Sequence, residues 1–302
     1  MVNVNFCGKR IENPTVLASG ILGNNYEILK DVHDKGCGLV TMKSIGPKER
    51  EGHNNPTVID WGKGIINAVG LPTPGYLNMD SEWDKLSKRD FLLNASIYGG
   101  CDNDFVNVAE FVAGEKPDFI EINISCPNTN NEGMIFGVNE ESAYSVVKSV
   151  KDVIGDIPLI AKLTPQALNI GKIAKACESA GADAICAINT LGPGMIIDIE
   201  SAKPILEFKK GGVSGPAIKP IAVRCVYDIY QNVKIPIIGM GGITCGKDAI
   251  EMIMAGATLV GMGSSIYYRG IDVFSKVSNE IDAWLKKNDK KYEDIIGLAH
   301  KD

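Results

Sequence analysis

The 302-residue chain sets 31 Lys and Arg against 37 Asp and Glu, and the resulting net charge of −6 excludes a general polyanion-binding surface and a nucleic-acid partner. Apolar residues at 45%, aromatics at 7% and 33 glycines describe a globular protein with many tight turns, long for one ordinary domain. The eight cysteines are scattered, with no Cys-x-x-Cys pair and no clustering with the three histidines, which excludes a zinc or iron–sulfur ligand set in this chain and fits a reducing, cytoplasmic setting.

The opening Met-Val-Asn-Val-Asn-Phe-Cys-Gly-Lys-Arg lacks the apolar core of a signal peptide. No apolar run approaches the roughly 18 residues needed to cross a bilayer, so no membrane association is expected. Residues 2–11 read as a small hairpin placed to cap one end of the fold. Short apolar runs then recur at 15–19, 38–43, 91–96, 119–123, 159–163, 184–189, 235–239 and 258–261, each ending in polar or glycine residues. Helical patterns lie between them at 26–35, 104–114, 140–153, 170–181, 216–233 and 247–255, several stopped by glycine. Strands alternating with helices mean parallel βαβ units, and eight of them predict an α/β fold, a closed (β/α)8 TIM barrel over residues 1–302 as a single domain. Two Gly- and Pro-rich segments, 44–77 and 191–215, exceed normal loop length and leave strand C-termini, the side on which such barrels build sites. Residues 273–287 read as an amphipathic closing helix, and 286–291 as a solvated charged surface.

The main rival is an open doubly wound sheet holding a dinucleotide. Its fingerprint is missing: Gly239-Met-Gly241-Gly242-Ile-Thr244 fails at the third glycine and lies late in the chain. The run 241–248 has Walker-like spacing up to Gly246 and Lys247 but ends in Asp248 where a magnesium-binding Ser or Thr is required.

Chemistry is concentrated at the run 120–128, Ile-Glu-Ile-Asn-Ile-Ser-Cys-Pro-Asn. Pro127 makes continuation of a central strand unfavourable, so Cys126 is expected at a strand's C-terminal mouth beside Asn123, Ser125 and Asn128. The alternative is a buried structural thiol, the reading that suits Cys177 and Cys186 among their apolar neighbours. The other strand mouths carry Ser19, Lys43, Ser44, Asn94, Lys162, Thr164, Asn189, Thr190, Gly241, Gly242, Gly263 and Ser264, and the first long loop carries Asn67, Gly70 and Leu71. Lys43 and Lys162 end apolar strands, which implies bound negative charge unless their amines reach solvent. Asparagines at strand ends offer the paired donors and acceptors that a planar amide or imide ring requires, or serve as loop caps. Gly241-Gly242 and Gly263-Ser264 precede helices, where barrels of this type bind phosphate through backbone N–H groups; otherwise they are turn residues only. His33 falls in a helix, His300 in the tail and His53 in the first loop, none anchored at a strand mouth, so Cys126 is the better proton acceptor.

Several ordered motifs resemble a known family: Met-Lys-Ser at 42–44, Asn-Ala-Val-Gly-Leu at 67–71, Asn-Ile-Ser-Cys-Pro-Asn at 123–128, Ala-Lys-Leu-Thr-Pro at 161–165, Ile-Asn-Thr at 188–190, Gly-Gly-Val-Ser-Gly-Pro-Ala-Ile-Lys-Pro at 211–220 and Gly-Met-Gly-Gly-Ile at 239–243. Together they look like class 1 dihydroorotate dehydrogenase. Cysteine in the base position points to class 1, since the membrane-linked class 2 uses serine and an N-terminal extension. The segments 133–137 and 211–216 resemble subtype 1B, whose catalytic subunit pairs with an iron–sulfur flavoprotein and passes electrons to NAD.

The resemblance implies FMN across the top of the barrel, contacted by Ser19, Lys43, Ser44, Asn94, Asn123, Lys162, Ile188, Gly215, Gly241, Gly242, Gly263 and Ser264. Lys43, Asn67, Ala68, Val69, Gly70, Leu71, Asn123, Asn128, Asn189 and Thr190 would hold dihydroorotate. Cys126 would remove a proton from C5, a hydride would pass from C6 to the flavin, and Lys162 would steady the reduced ring. FAD and a 2Fe–2S cluster are then expected on a partner subunit, in a heterotetramer of two plus two. Two features depart from the family pattern: Asn94 is followed by Ala-Ser-Ile-Tyr, and Gly192-Pro-Gly is one residue longer than in many relatives. The competing readings are subtype 1A with fumarate as acceptor, a related barrel acting on another pyrimidine, and a non-catalytic scaffold that binds FMN or phosphate alone.

Overall fold

A computed structural model describes residues 2–125 and 135–301. Eight parallel strands form the central sheet: β1 (Thr15–Leu17), β2 (Val40–Thr41), β3 (Leu93–Ile97), β4 (Phe119–Asn123), β5 (Leu159–Leu163), β6 (Ala184–Ala187), β7 (Ile237–Met240) and β8 (Leu259–Met262). Their spatial order is 1-8-7-6-5-4-3-2. The sheet closes where Leu17 N–H donates to Leu39 O at 3.0 Å and Leu39 N–H donates to Thr15 O at 3.0 Å. The expected eight-stranded barrel is therefore present, each strand within a few residues of its apolar run.

The strands are buried on both faces, so their sequences read as continuous apolar runs. The surrounding helices show the opposite pattern, one buried stripe each. In the helix Glu140–Lys151 the stripe is Ala143, Val146, Val147 and Val150. Asn139 caps its start by accepting from the N–H groups of Glu141 and Ser142 at 2.9 and 3.1 Å, and Lys148 and Lys151 occupy its last turn. Asn169 caps the next helix, Ile170–Ser179, by accepting from Lys172 N–H at 3.1 Å. The closing helix forms over Val273–Lys287, as its pattern predicts. No helix among the described residues is long and apolar enough to cross a membrane.

The opening hairpin pairs Val4–Phe6 with Lys9–Ile11 and lies under the barrel. Phe6 packs its ring 5.7 Å from that of Phe119, the first residue of β4, and Cys7 Sγ donates to Asp183 O just before β6. Both contacts are at strand N-termini, so the opposite mouth is left for the two long segments.

Those segments are not irregular loops. Leu191–Gly194, Gly211–Ser214, Ile65–Asn67 and Val58–Asp60 form a four-stranded antiparallel sheet over the C-terminal mouth, closed on a small core of Ile66, Ala68 and Leu206. Their glycines hide strand character in the sequence because glycine has low β propensity. Here a close backbone approach requires them: a Cβ at Gly211 would meet Asn67 O at 2.4 Å, and one at Gly212 would meet Thr190 Oγ1 at 2.2 Å.

Candidate active site

Register decides which strand residues reach the barrel interior. Ser96 is paired with Glu121, Asn123 with Lys162, and Lys162 with Cys186. Neighbours in register share a face, so these side chains line the inside together. They are joined by a run of polar contacts. Ser44 Oγ lies 2.8 Å from Ser96 Oγ, Ser96 Oγ donates to Glu121 Oε1 at 3.1 Å, Lys162 Nζ lies 3.7 Å from Glu121 Oε1, and Lys162 Nζ donates to Ser19 Oγ at 2.6 Å. Lys162 and Glu121 are 4% and 1% exposed, so this is a buried ion pair.

That pair corrects one step of the sequence reading. The burial of Lys162 does not by itself require a bound anion, because Glu121 supplies the opposite charge from within the strand. Lys43 is different. It joins no ion pair among the described residues, and burial alone pulls its ammonium below the ordinary lysine range. Lys43 lines neither of the two clefts at this mouth, whereas Lys210, which also joins no ion pair among the described residues, lines the second.

Two adjoining clefts open at this mouth. The first is lined by Ser19, Lys162, Ile188, Gly215, Gly241, Gly242, Gly263 and Ser264 among others. Gly241 and Gly242 have φ of 126° and 75°, and added Cβ atoms would stand 2.7 Å from Ala222 Cβ and 2.7 Å from Lys219 Cβ. The N–H groups of Gly241, Gly242, Gly263 and Ser264 donate to no acceptor among the described residues, leaving donors free. Asp248, the residue that spoils the Walker-like run, has a structural role. Its Oδ2 accepts from the N–H groups of Thr244 and Cys245, and its Oδ1 accepts from Lys219 Nζ at 2.9 Å.

The second cleft is lined by His53, Asn67, Ala68, Ser125, Thr164, Gln166, Asn189, Thr190, Phe208, Lys210 and Gly212 among others. Asn67, Asn189 and Thr190 belong to both clefts. Asn123 Oδ1 accepts from Ser125 N–H and from Asn189 Nδ2, each at 3.2 Å, which ends β4 in a turn and fixes the neighbouring amide. Asn67 is held by its Nδ2 donating to Gly212 O at 3.3 Å, across the two long segments.

Of the remaining expected residues, Lys43, Ser44, Asn94 and Asn123 line neither cleft, and the last three are buried. Val69, Gly70 and Leu71 line neither cleft: Val69 O accepts from His53 N–H, and Leu71 O accepts from the Tyr98 hydroxyl. Cys126, Asn128 and the start of the 133–137 segment fall outside the described residues; Ser125, immediately before Cys126, lines the second cleft. Cys177 and Cys186 are fully buried, and burial pushes the Cys177 thiol up to about 12 and, with Glu121, the Cys186 thiol well above its ordinary value. Both are core residues, as their neighbours predict. Ser96, inside the departure after Asn94, is a link in the buried polar run rather than a disturbance of it.

His53 is the residue that the strand-mouth rule misses. Its ring stacks on Phe208 with centroids 4.0 Å apart, its Nδ1 donates to Ala68 O at 3.0 Å, and its N–H donates to Val69 O at 3.0 Å. It thereby ties the segment after Asn67 to the second long segment. A Gly-His pair in a long loop leaving a strand C-terminus is the available signal, but only folding of that loop back over the mouth makes it matter. His300, in contrast, stacks on Tyr227 at 3.8 Å, and its Nε2 bonds Ala255 O, far from the mouth.

Residues 1–285 match the family model described as dihydroorotate dehydrogenase. The chain is 46% identical over 304 residues to the dihydroorotate dehydrogenase B (NAD(+)) catalytic subunit of Methanocaldococcus jannaschii, covering 99% of this chain and 98% of that one. It is 44% identical to the protein of the same name from Pyrococcus abyssi, covering both chains completely. Among solved structures, the crystal structure of DHODH from Eimeria tenella in complex with ferulenol superposes with a TM-score of 0.85 at 24% identity, covering 99% of this chain and 89% of that one, a likeness of fold.

Proposed function

Because the chain belongs to the dihydroorotate dehydrogenase family, we propose that it oxidises (S)-dihydroorotate to orotate with FMN, in de novo pyrimidine synthesis, in the cytoplasm. The observation that carries this reading is the pair of adjoining clefts with Asn67, Asn189 and Thr190 in their common wall. One cleft offers free backbone donors and a glycine cradle, the other a set of carboxamides.

The residues present fit FMN. The unpaired N–H groups of Gly241, Gly242, Gly263 and Ser264 suit a phosphate. The fully buried Asn94 keeps Oδ1 without a partner while its Nδ2 donates to Thr41 Oγ1, an acceptor held ready for a ring N–H. Ser19, Lys162, Ile188 and Gly215 line this cleft and would face the ring, and the family motif adds Lys43, Ser44 and Asn123, which are not on its lining. When bound, FMN supplies the hydride acceptor for C6 of the substrate. The carboxamides of Asn67, Asn123, Asn128 and Asn189, with Thr190, hold the planar ring of dihydroorotate through its amide edges, Ala68 continues that wall while Val69 to Leu71 support it through their bonds to His53 and Tyr98, and Lys43 receives its carboxylate. Cys126 takes the C5 proton. Lys162 holds positive charge at the floor of the first cleft, where negative charge builds up during the reaction.

The Lys43 assignment fixes a pH dependence. An anion bound beside Lys43 favours its charged form, so orotate affinity is full below the pKa of the free site and is lost as pH rises through it. Burial lowers that pKa, so the decline begins below the ordinary lysine value of about 10.4. In Lys43→Met, titrated with orotate across the alkaline range, affinity is expected to be weaker and this decline absent. His53→Ala is expected to raise KM for dihydroorotate about tenfold, equivalent to losing one hydrogen bond of about 1 kcal/mol and part of a ring contact, with kcat within about twofold.

Electrons leave through a partner. The scattered cysteines provide no iron–sulfur ligand set, so the proposed partner is an iron–sulfur flavoprotein carrying FAD and a 2Fe–2S cluster, two copies with two of this chain. The purified chain should form orotate with a dye acceptor but leave NAD untouched until that partner is added. NAD reduction by the chain alone contradicts the partner, and fumarate-dependent turnover points to the single-subunit type.

A further inference from the structure

Glu121 is a buried carboxylate that the chemistry above leaves unused. It projects into the barrel from the middle of β4, a position that barrels usually fill with a branched apolar side chain, and it is 1% exposed. Burying a carboxylate costs several kcal/mol unless it is paired and hydrogen-bonded. Its neighbours show what it serves: Ser96 Oγ donates to it at 3.1 Å, Lys162 Nζ stands 3.7 Å away, and Cys186 faces it as a protonated thiol. Lys162 is thus held between Ser19 and Glu121, and the floor of the first cleft carries a dipole where a free ammonium would carry a full positive charge.

We propose that Glu121 is a positioning residue that tempers Lys162, fixing its ammonium and partly cancelling its charge so that the bound flavin is less oxidising than Lys162 alone would make it. The inference rests on the proposal that FMN lies in the first cleft with its ring beside Lys162. Two-electron reduction adds negative charge to that ring. A nearby carboxylate opposes the added charge, and screening by salt is weak at a buried site.

The test is the two-electron midpoint potential of FMN in the wild type, Glu121→Gln, Lys162→Met and the double variant. Glu121→Gln keeps the shape and removes the charge. It is expected to favour the reduced over the oxidised flavin by about tenfold, which is about 30 mV upward for a two-electron couple. Lys162→Met should lower the potential, and adding Glu121→Gln to it should raise the potential again. A wild type and Glu121→Gln with equal potentials would overturn the inference while leaving the cofactor reading intact. If Glu121→Gln does not fold, the comparison of Lys162→Met with the double variant decides, since the double variant removes the pair as a unit; equal potentials there overturn the inference in the same way. A wild-type chain that binds no FMN overturns the cofactor reading, and the inference with it.

Discussion

Replacing Cys126 with alanine is expected to lower turnover by about 10²- to 10⁴-fold, the scale set by a positioned general base, while FMN stays bound. The two effects separate because, Asn123 apart, the proposed cofactor contacts come from other strands: the free N–H groups of Gly241, Gly242, Gly263 and Ser264, the open acceptor of Asn94 and the amine of Lys162. Cys126 follows directly on Ser125, which lines the second cleft, and lies shortly after Asn123, whose side chain closes the turn that ends β4. Dihydroorotate affinity should change little, since the carboxamides and Lys43 remain. Near-normal turnover of this variant would move the base elsewhere. His53 is then the first alternative, as the one histidine lining that cleft among the described residues.

Lys162→Ala should be costly in a different way. It leaves Glu121 buried at 1% exposure with no cation beside it, and breaking a buried pair from one side typically costs about 3–5 kcal/mol. For a domain whose whole stability is about 5–15 kcal/mol, that brings the protein without cofactor close to unfolding. FMN affinity should fall as well, because the variant loses the cation at the cleft floor. Denaturant unfolding of the protein stripped of FMN measures the first effect and FMN titration the second. Lys162→Met combined with Glu121→Gln should recover most of the lost stability, because nothing charged is then left unpaired. A stability loss below about 1 kcal/mol, the scale of an exposed pair, would show that Glu121 is not a charged partner of Lys162.

The barrel is legible in the sequence because parallel strands covered on both faces read as apolar runs, and each helix between them carries one buried stripe, with a polar cap such as Asn139 or Asn169 on some. Eight runs alternating with helices leave little freedom in topology. The site is legible wherever a residue's role follows from standing at a strand end: Ser19, Lys162, Gly241, Gly242, Gly263 and Ser264 all meet in one cleft. What escapes depends on three dimensions. Glu121 sits in the middle of an apolar strand, and only the register that sets β4 beside β5 brings it to Lys162. His53 depends on two glycine-rich segments pairing with each other as a sheet, a contact between residues far apart in sequence. The run 67–71 reads as one wall, yet in the described structure only Asn67 and Ala68 line a cleft, because the backbone turns at Gly70 and packs against His53.

The central claim joins three parts: FMN in the first cleft, dihydroorotate in the second, and electron transfer between them. One anaerobic visible spectrum of the purified chain, taken before and after adding dihydroorotate, tests all three. A yellow protein that bleaches on addition is the expected result. A yellow protein that keeps its colour contradicts the substrate assignment, and one that stays colourless even when FMN is supplied contradicts the cofactor cleft itself.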